Sequence, residues 1–164
     1  MMNRSSQLFS WILFGMTLAM LCASFYFEYV EGLNPCPLCL MQRFCVMLTL
    51  VSTLTTVFIR KSTSLRVVLG IQWVLAAAGI FFSGRQLWLQ SFPSDQVTSC
   101  LPGLNMMVHY LPWQEIVHTL LLGGPDCAEV SWRFLGLTMP GWAFVYFTGI
   151  FGATYLLRKY ASRR

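Results

Sequence analysis

The sequence predicts an all-α membrane protein: a bundle of four transmembrane helices, with two large loops on one side and a short interfacial helix within the second loop. Three observations predict it. Apolar residues fill 56 % of the 164 positions and charged residues only 10 %, against roughly 25 % charged in an ordinary soluble domain. Four long windows carry no charge at all. At ~20 residues per crossing and ~1.5 Å per residue, the length holds four or five helices and leaves room for one substantial loop. Too little charge is present to coat a water-soluble globule, and disorder is excluded because it requires low hydrophobicity. The chain reads as one integral membrane domain over 1–164. Its net charge of +5 says little about nucleic acid in so apolar a chain, and no nucleic-acid partner is expected.

The charge-free windows place the helices in order. Ser5 to Phe27 gives a first span at about 9–27. Phe44 to Ile59 gives the second at 44–59, Val67 to Gly84 the third at 67–84. The window between Arg133 and Arg158 has its apolar centre at 139–157, the fourth span. The first is expected to stay uncleaved, because its apolar run exceeds the ~7–15 residues of a signal-peptide core. The bulky Leu21 before Cys22 also argues against a lipoprotein cleavage site. Between the spans lie a first loop at about 28–43, a short turn, and a long loop at about 85–138.

Basic residues set the orientation. With both termini and the short turn inside, that side holds Arg4, Arg60, Lys61, Arg66, Arg158, Lys159, Arg163 and Arg164, while the other holds only Arg43, Arg85 and Arg133. Eight against three puts both large loops away from the cytoplasm. In the long loop, Trp113, Ile116, Val117, Leu120 and Leu121 recur at helical spacing between Pro112 and Gly123. So short a helix cannot span; it lies in the outer interface or packs on the ends of the others.

Topology then sorts the six cysteines. Cys22 and Cys45 fall inside helices, where thiols behave as small hydrophobes. Cys36 and Cys39 fall in the first loop, Cys100 and Cys127 in the second. An even number of loop cysteines in an oxidising compartment reads as disulfides, and the pairs Cys36–Cys39 and Cys100–Cys127 suggest themselves. Haem attachment fails because Leu40 stands where a histidine is needed. A four-cysteine zinc site fits poorly, since the second pair is 27 residues apart. Static structural bridges remain an alternative, but a two-residue gap closes almost no loop and so restrains little of the unfolded chain. The same spacing is the usual form of a catalytic redox dithiol.

The surroundings of Cys39 favour exchange. Pro37 suits the first turn of the second helix and Asn34 is a candidate cap. Cys39 then lies at a helix N-terminus, where the dipole favours a thiolate, with Arg43 one turn on along the same face. Arg43 as a mere helix anchor is the competing reading. His109 and His118 read as solvated loop residues rather than relays or ligands. A dithiol that oxidises other proteins must itself be reoxidised. No nucleotide-binding glycine motif is present, and both histidines lie in the long loop, so no haem-ligand histidine lies within a span, which leaves a lipid-soluble quinone as acceptor.

The stretches Pro-Cys-Pro-Leu-Cys-Leu-Met-Gln-Arg at 35–43, Pro-Ser-Asp-Gln-Val-Thr-Ser-Cys at 93–100 and Asp-Cys-Ala-Glu-Val-Ser-Trp-Arg-Phe-Leu-Gly-Leu-Thr-Met-Pro-Gly-Trp at 126–142 resemble, in order, the DsbB family of membrane disulfide-forming proteins. The resemblance implies a bacterial inner-membrane enzyme with cytoplasmic termini and periplasmic redox loops. It implies that Cys100 and Cys127 take electrons from a DsbA-like, thioredoxin-fold thiol oxidase. Cys36 and Cys39 then pass them to the membrane quinone pool, ubiquinone ahead of menaquinone, with Cys39 nearest the ring. Partner attack on Cys100 frees Cys127, which attacks Cys36 and leaves Cys39 as the departing thiolate. Arg43 resembles the arginine supporting the quinone contact, Gln42 the polar residue beside it, and Met139 a residue lining the quinone site. Some members carry a histidine just after the arginine opening the long loop; Gln86 stands there in this chain. The alternatives are a DsbI-like paralogue dedicated to one partner, a distant vitamin-K-epoxide-reductase-like role, and a non-catalytic membrane protein with static bridges.

Overall fold

The computed structural model describes residues 4–59, 62–92, 113–124, 127–130 and 132–162. Within them run five α-helices: α1 (Arg4–Tyr29), α2 (Pro37–Phe58), α3 (Ser62–Ser91), the short α4 (Trp113–Leu122) and α5 (Met139–Ser162). Stretches of α1, α2 and α3 are each long and apolar enough to cross a membrane. α5, at 24 residues, matches them in length, although Gly, Thr, Tyr and Trp dilute its apolar run. The surface is the inverse of a soluble protein's. Trp11, Met16, Phe44, Val51, Phe58, Val67, Val74, Phe81 and Val145 are exposed, while Thr17, Thr49, Thr53, Gln72, Ser83 and Thr154 are buried. An apolar exterior around an interior that mixes these polar side chains with Leu38, Leu69, Phe147 and Ile150 suits a hydrocarbon solvent.

The four long helices pack as a bundle in which α3 lies against α5 and α2, and α2 against α1. Two details show how closely. A side chain at Gly79 of α3 would collide with the Phe147 ring of α5, so glycine there lets the two backbones approach. Tyr146 Oη of α5 donates to Thr17 Oγ1 of α1 at 2.9 Å, a buried bond joining the first and last helices. Along α2 the hydroxyls of Thr49, Ser52, Thr53, Thr55 and Thr56 donate to carbonyls three or four residues back. No water is needed to satisfy them.

The helices outrun the charge-free windows. α2 starts at Pro37, ahead of Phe44, and α3 continues past Arg85 to Ser91. Charge marks the edge of an apolar slab, whereas a helix stops only when its backbone bonding stops. The first connection therefore shrinks to the residues between Tyr29 and Pro37. α4 forms where its spacing predicts and packs against α2, the second of the two readings open to it. A hairpin was not foreseen: β1 (Arg133–Phe134) pairs antiparallel with β2 (Leu137–Thr138). Its turn carries positive φ at both Leu135 (52°) and Gly136 (81°), the backbone of a tight hairpin turn. Leucine is no turn signal and each strand has two residues, so neither residue type nor alternation announced it. The hairpin delivers the chain directly into α5.

Candidate active site

The site forms where the first turn of α2 meets the ends of α3, α4 and α1. Pro37 opens the helix and has no N–H to satisfy, which makes Cys36, rather than Asn34, the N-cap. The Cys36 sulfur accepts the N–H of Cys39 at 3.4 Å. Three residues apart on one helical face, the two sulfurs lie 2.8 Å apart, Cys36 donating.

Cys127 joins them. It is fully buried and follows α4 through a turn in which its N–H meets the Gly124 carbonyl at 3.1 Å. The Cys36 thiol hydrogen-bonds the Cys127 sulfur as well as that of Cys39, which pushes Cys36 well above the ordinary thiol range; burial adds to this. Cys127 moves down, chiefly because Cys36 donates to it, with backbone hydrogen bonds from Leu38 and Gly124 helping against its burial. The free N–H groups of α2's first turn are thus spent on sulfur: Cys39's on Cys36, Leu38's on Cys127. The three sulfurs are consequently unequal, with the Cys36 thiol raised and the Cys127 thiol lowered from the ordinary range. Cys100 and His109 lie outside the described residues, so their placement beside this cluster is not described. His118 is exposed on α4.

Three further contacts aim Cys127. Gly123, at φ +84°, ends α4 against Leu38 and Leu89, and a Cβ there would come within 2.7 Å of one and 2.8 Å of the other. Arg85 Nε bonds the last carbonyl of α4, Leu122, at 3.1 Å. Gln90, one turn beyond Gln86 on α3, donates to the Glu129 carbonyl at 3.4 Å and accepts from Thr138 Oγ1 at 2.9 Å. The end of α3 therefore holds both the Cys127 segment and the hairpin.

Gln86 sits at the centre. It is buried, and its Nε2 lies 3.3 Å from the Cys36 sulfur and 3.2 Å from the Cys39 sulfur. Gln42, also buried, donates to Gln86 Oε1 at 2.7 Å. Gln42 thus stands behind Gln86 rather than in the wall of the cleft beside the sulfurs. Arg43 is committed to α1. Its Nε donates to Ser24 Oγ at 2.9 Å, its Nη2 to the Ser24 carbonyl at 3.2 Å, and its Nη1 to the Glu28 carboxylate. Its guanidinium carbon lies 4.8 Å from the centre of the Phe25 ring. It anchors the helix pair and lines the cleft at once.

That cleft, of about 110 Å³, opens beside Cys39. Phe27, Trp132, Met139 and Pro140 supply flat or apolar wall, and Cys36, Cys39, Arg43 and Gln86 supply polar and sulfur groups. Phe27 and Trp132 rings meet at 4.7 Å, and Trp132 stacks in turn on Phe134 of the hairpin. Met139 lines the same cleft as Arg43 and the CxxC pair. The sequence did not reveal Gln86 as the hub, nor Glu28 and Ser24 as the partners of Arg43.

A family model for "Disulfide bond formation protein DsbB" matches residues 6–157. A disulfide bond formation protein B from Marinobacter nauticus is 47 % identical over 147 residues, 88 % of either chain. One from Hahella chejuensis is 44 % identical over 127 residues, 77 % of either chain. A third, from Stutzerimonas stutzeri, is 42 % identical over 132 residues, 80 % of this chain and 81 % of the relative. With a family match over nearly its whole length and a buried cysteine cluster at its functional end, the chain belongs to the DsbB family of disulfide bond formation proteins.

Proposed function

We propose that the protein oxidises the dithiol of a periplasmic, thioredoxin-fold, DsbA-like partner and passes the electrons through two cysteine pairs to membrane quinone. One observation carries this reading: Cys36 hydrogen-bonds Cys39 and packs in one buried cluster with Cys127 as well. Static bridges need no third sulfur; exchange does. The partner thiolate attacks Cys100 and Cys127 leaves with the electron pair. Cys127, released as a thiolate, attacks Cys36; the Cys36–Cys127 bond forms, the Cys36–Cys39 bond breaks, and Cys39 takes the electrons. The partner's second thiol then displaces Cys100 and leaves the partner oxidised. Cys100 next attacks Cys127, restoring their bridge and releasing Cys36, so the two electrons rest on Cys36 and Cys39.

The residues of the cleft fit a quinone. Phe27, Trp132 and Met139 offer apolar walls for a ring and the start of its tail, Arg43 and Gln86 offer donors, and the Cys39 sulfur lines the same space. When bound, the quinone supplies a two-electron, two-proton acceptor soluble in the bilayer. The basic-residue bias supports a cluster on the periplasmic side of the inner membrane with both termini cytoplasmic. The relatives' general names give no support to a paralogue dedicated to one partner.

The test mixes purified protein, a reduced thioredoxin-fold partner and a defined quinone, and follows quinone absorbance. Catalytic loss of quinone that needs both proteins is expected, and Cys36→Ala or Cys39→Ala abolishes it. Multiple turnovers by either variant overturn the relay order, and no quinone loss with the intact chain overturns the function.

A further inference from the structure

We propose that Gln86 is a further catalytic residue: its amide N–H groups stabilise negative charge on whichever of Cys36 and Cys39 leaves during exchange, while Gln42 is a positioning residue that keeps those N–H groups facing the sulfurs. The proposal rests on the thiol relay above and adds to it a group that neither the cysteine pattern nor the family description assigns.

The geometry is two-headed. One nitrogen, Gln86 Nε2, lies 3.3 Å from Cys36 and 3.2 Å from Cys39. A primary amide has two N–H groups, one for each sulfur. Its other end, Oε1, lies farther off, accepting from the Cys39 thiol at 3.6 Å, and would repel a thiolate if the amide turned over to bring it closer. Gln42 prevents that, because its own N–H occupies Gln86 Oε1 at 2.7 Å. Gln86 is 3 % exposed and Gln42 7 %, so little water can stand in for a lost donor.

The relay needs such a group twice. When Cys127 attacks Cys36, the Cys36–Cys39 bond breaks and the electron pair departs on Cys39. When Cys100 later attacks Cys127 of the bridge, the pair departs on Cys36. A cation fixed beside one sulfur would favour one step over the other and would be costly to bury. Arg43, in addition, has its donors on Ser24 and Glu28. A neutral amide reaching both sulfurs serves both departures.

The test isolates one bond-breaking step. In the full-length chain carrying Cys100→Ser and Cys127→Ser, dithiothreitol reduces the Cys36–Cys39 disulfide, and trapping of the released thiols gives the rate. No protein partner and no quinone take part, so this measurement judges Gln86 whatever the quinone assay decides. Gln86→Glu keeps the shape but loses both donors when ionised; Gln86→Met removes the polar group and keeps the helix. Each is expected to slow reduction about ten- to hundredfold at pH 8, the range for one hydrogen bond to a charged group. As pH falls and the carboxyl regains a proton to donate, the Glu variant recovers relative to the Met variant. Gln42→Leu is slowed less. Reduction by the Glu variant as fast as by the parent at pH 8 overturns the proposal. So does equal slowing of Glu and Met at every pH, which would mark Gln86 as packing alone.

Discussion

Arg43→Ala separates two roles that coincide in one side chain. The substitution removes three donors to α1, the Phe25 contact and, among the described residues, the only positive charge lining the cleft. It also strands Glu28. The two side chains are 11 % and 25 % exposed, between a surface pair, worth about 0.2–1 kcal/mol, and a fully buried one, whose breaking costs about 3–5 kcal/mol. A loss of about 2 kcal/mol of stability follows from that intermediate position. Glu28→Gln keeps an oxygen for Arg43 and leaves the cation in the cleft, so about half that loss is expected. Denaturation of the detergent-solubilised variants measures both. Steady-state assays over a range of quinone concentrations then divide the roles. If Arg43 serves the quinone through its charge, Arg43→Ala raises the apparent KM severalfold and Glu28→Gln leaves it near the parent value. Equal KM in Arg43→Ala and the parent, in protein of normal fold, makes Arg43 an anchor alone. Equal rises in both variants assign the effect to the seating of α1 against α2.

With Cys39→Ser and Cys100→Ser combined, the two remaining loop thiols are expected to form a Cys36–Cys127 disulfide, seen by mass mapping of non-reduced peptides; persistent free thiols would rule out the interloop step. Because Cys36 donates to Cys127 and lowers its ionisation range, Cys36→Ala should move the Cys127 thiolate absorbance to higher pH, and a shift to lower pH would contradict that donor. Gly123→Ala meets Leu38 and Leu89 at a positive φ, a strain of about 2–4 kcal/mol. It should displace the end of α4 and slow formation of the Cys36–Cys127 bridge tenfold or more, whereas a bridge formed at the parent rate would show that Gly123 does not aim Cys127.

The helices were legible in the sequence because lipid imposes a one-dimensional rule: charge-free windows of sufficient length. The CxxC pair and its position near a helix start were legible for a similar reason, since Pro37 and the spacing of Cys36 and Cys39 are local signals. What escaped was the matching of distant residues. Arg43 finds Ser24 and Glu28 across a helix boundary, and Gln86 reaches sulfurs roughly fifty residues upstream. Neither pairing leaves any periodicity. Asn34 was the better cap by residue type, yet Pro37 fixes the first helical position and hands the cap to Cys36, whose sulfur is seldom used in that role. Local propensity lost to position there, as it did at Leu135.

Cys36 is both a reacting atom and the cap of α2. Should the Cys36–Cys127 bond draw that sulfur out of reach of the Cys39 N–H, the amide loses its acceptor, and a lost cap costs a helix about 1 kcal/mol. The electron's location is thereby written into backbone order. With Cys36 in place the first turn of α2 is closed; with Cys36 bridged to the other loop that turn is free to fray, and the recoil toward a capped helix favours return of the sulfur to Cys39. A secondary-structure terminus in this way acts as a weak spring on the redox cycle.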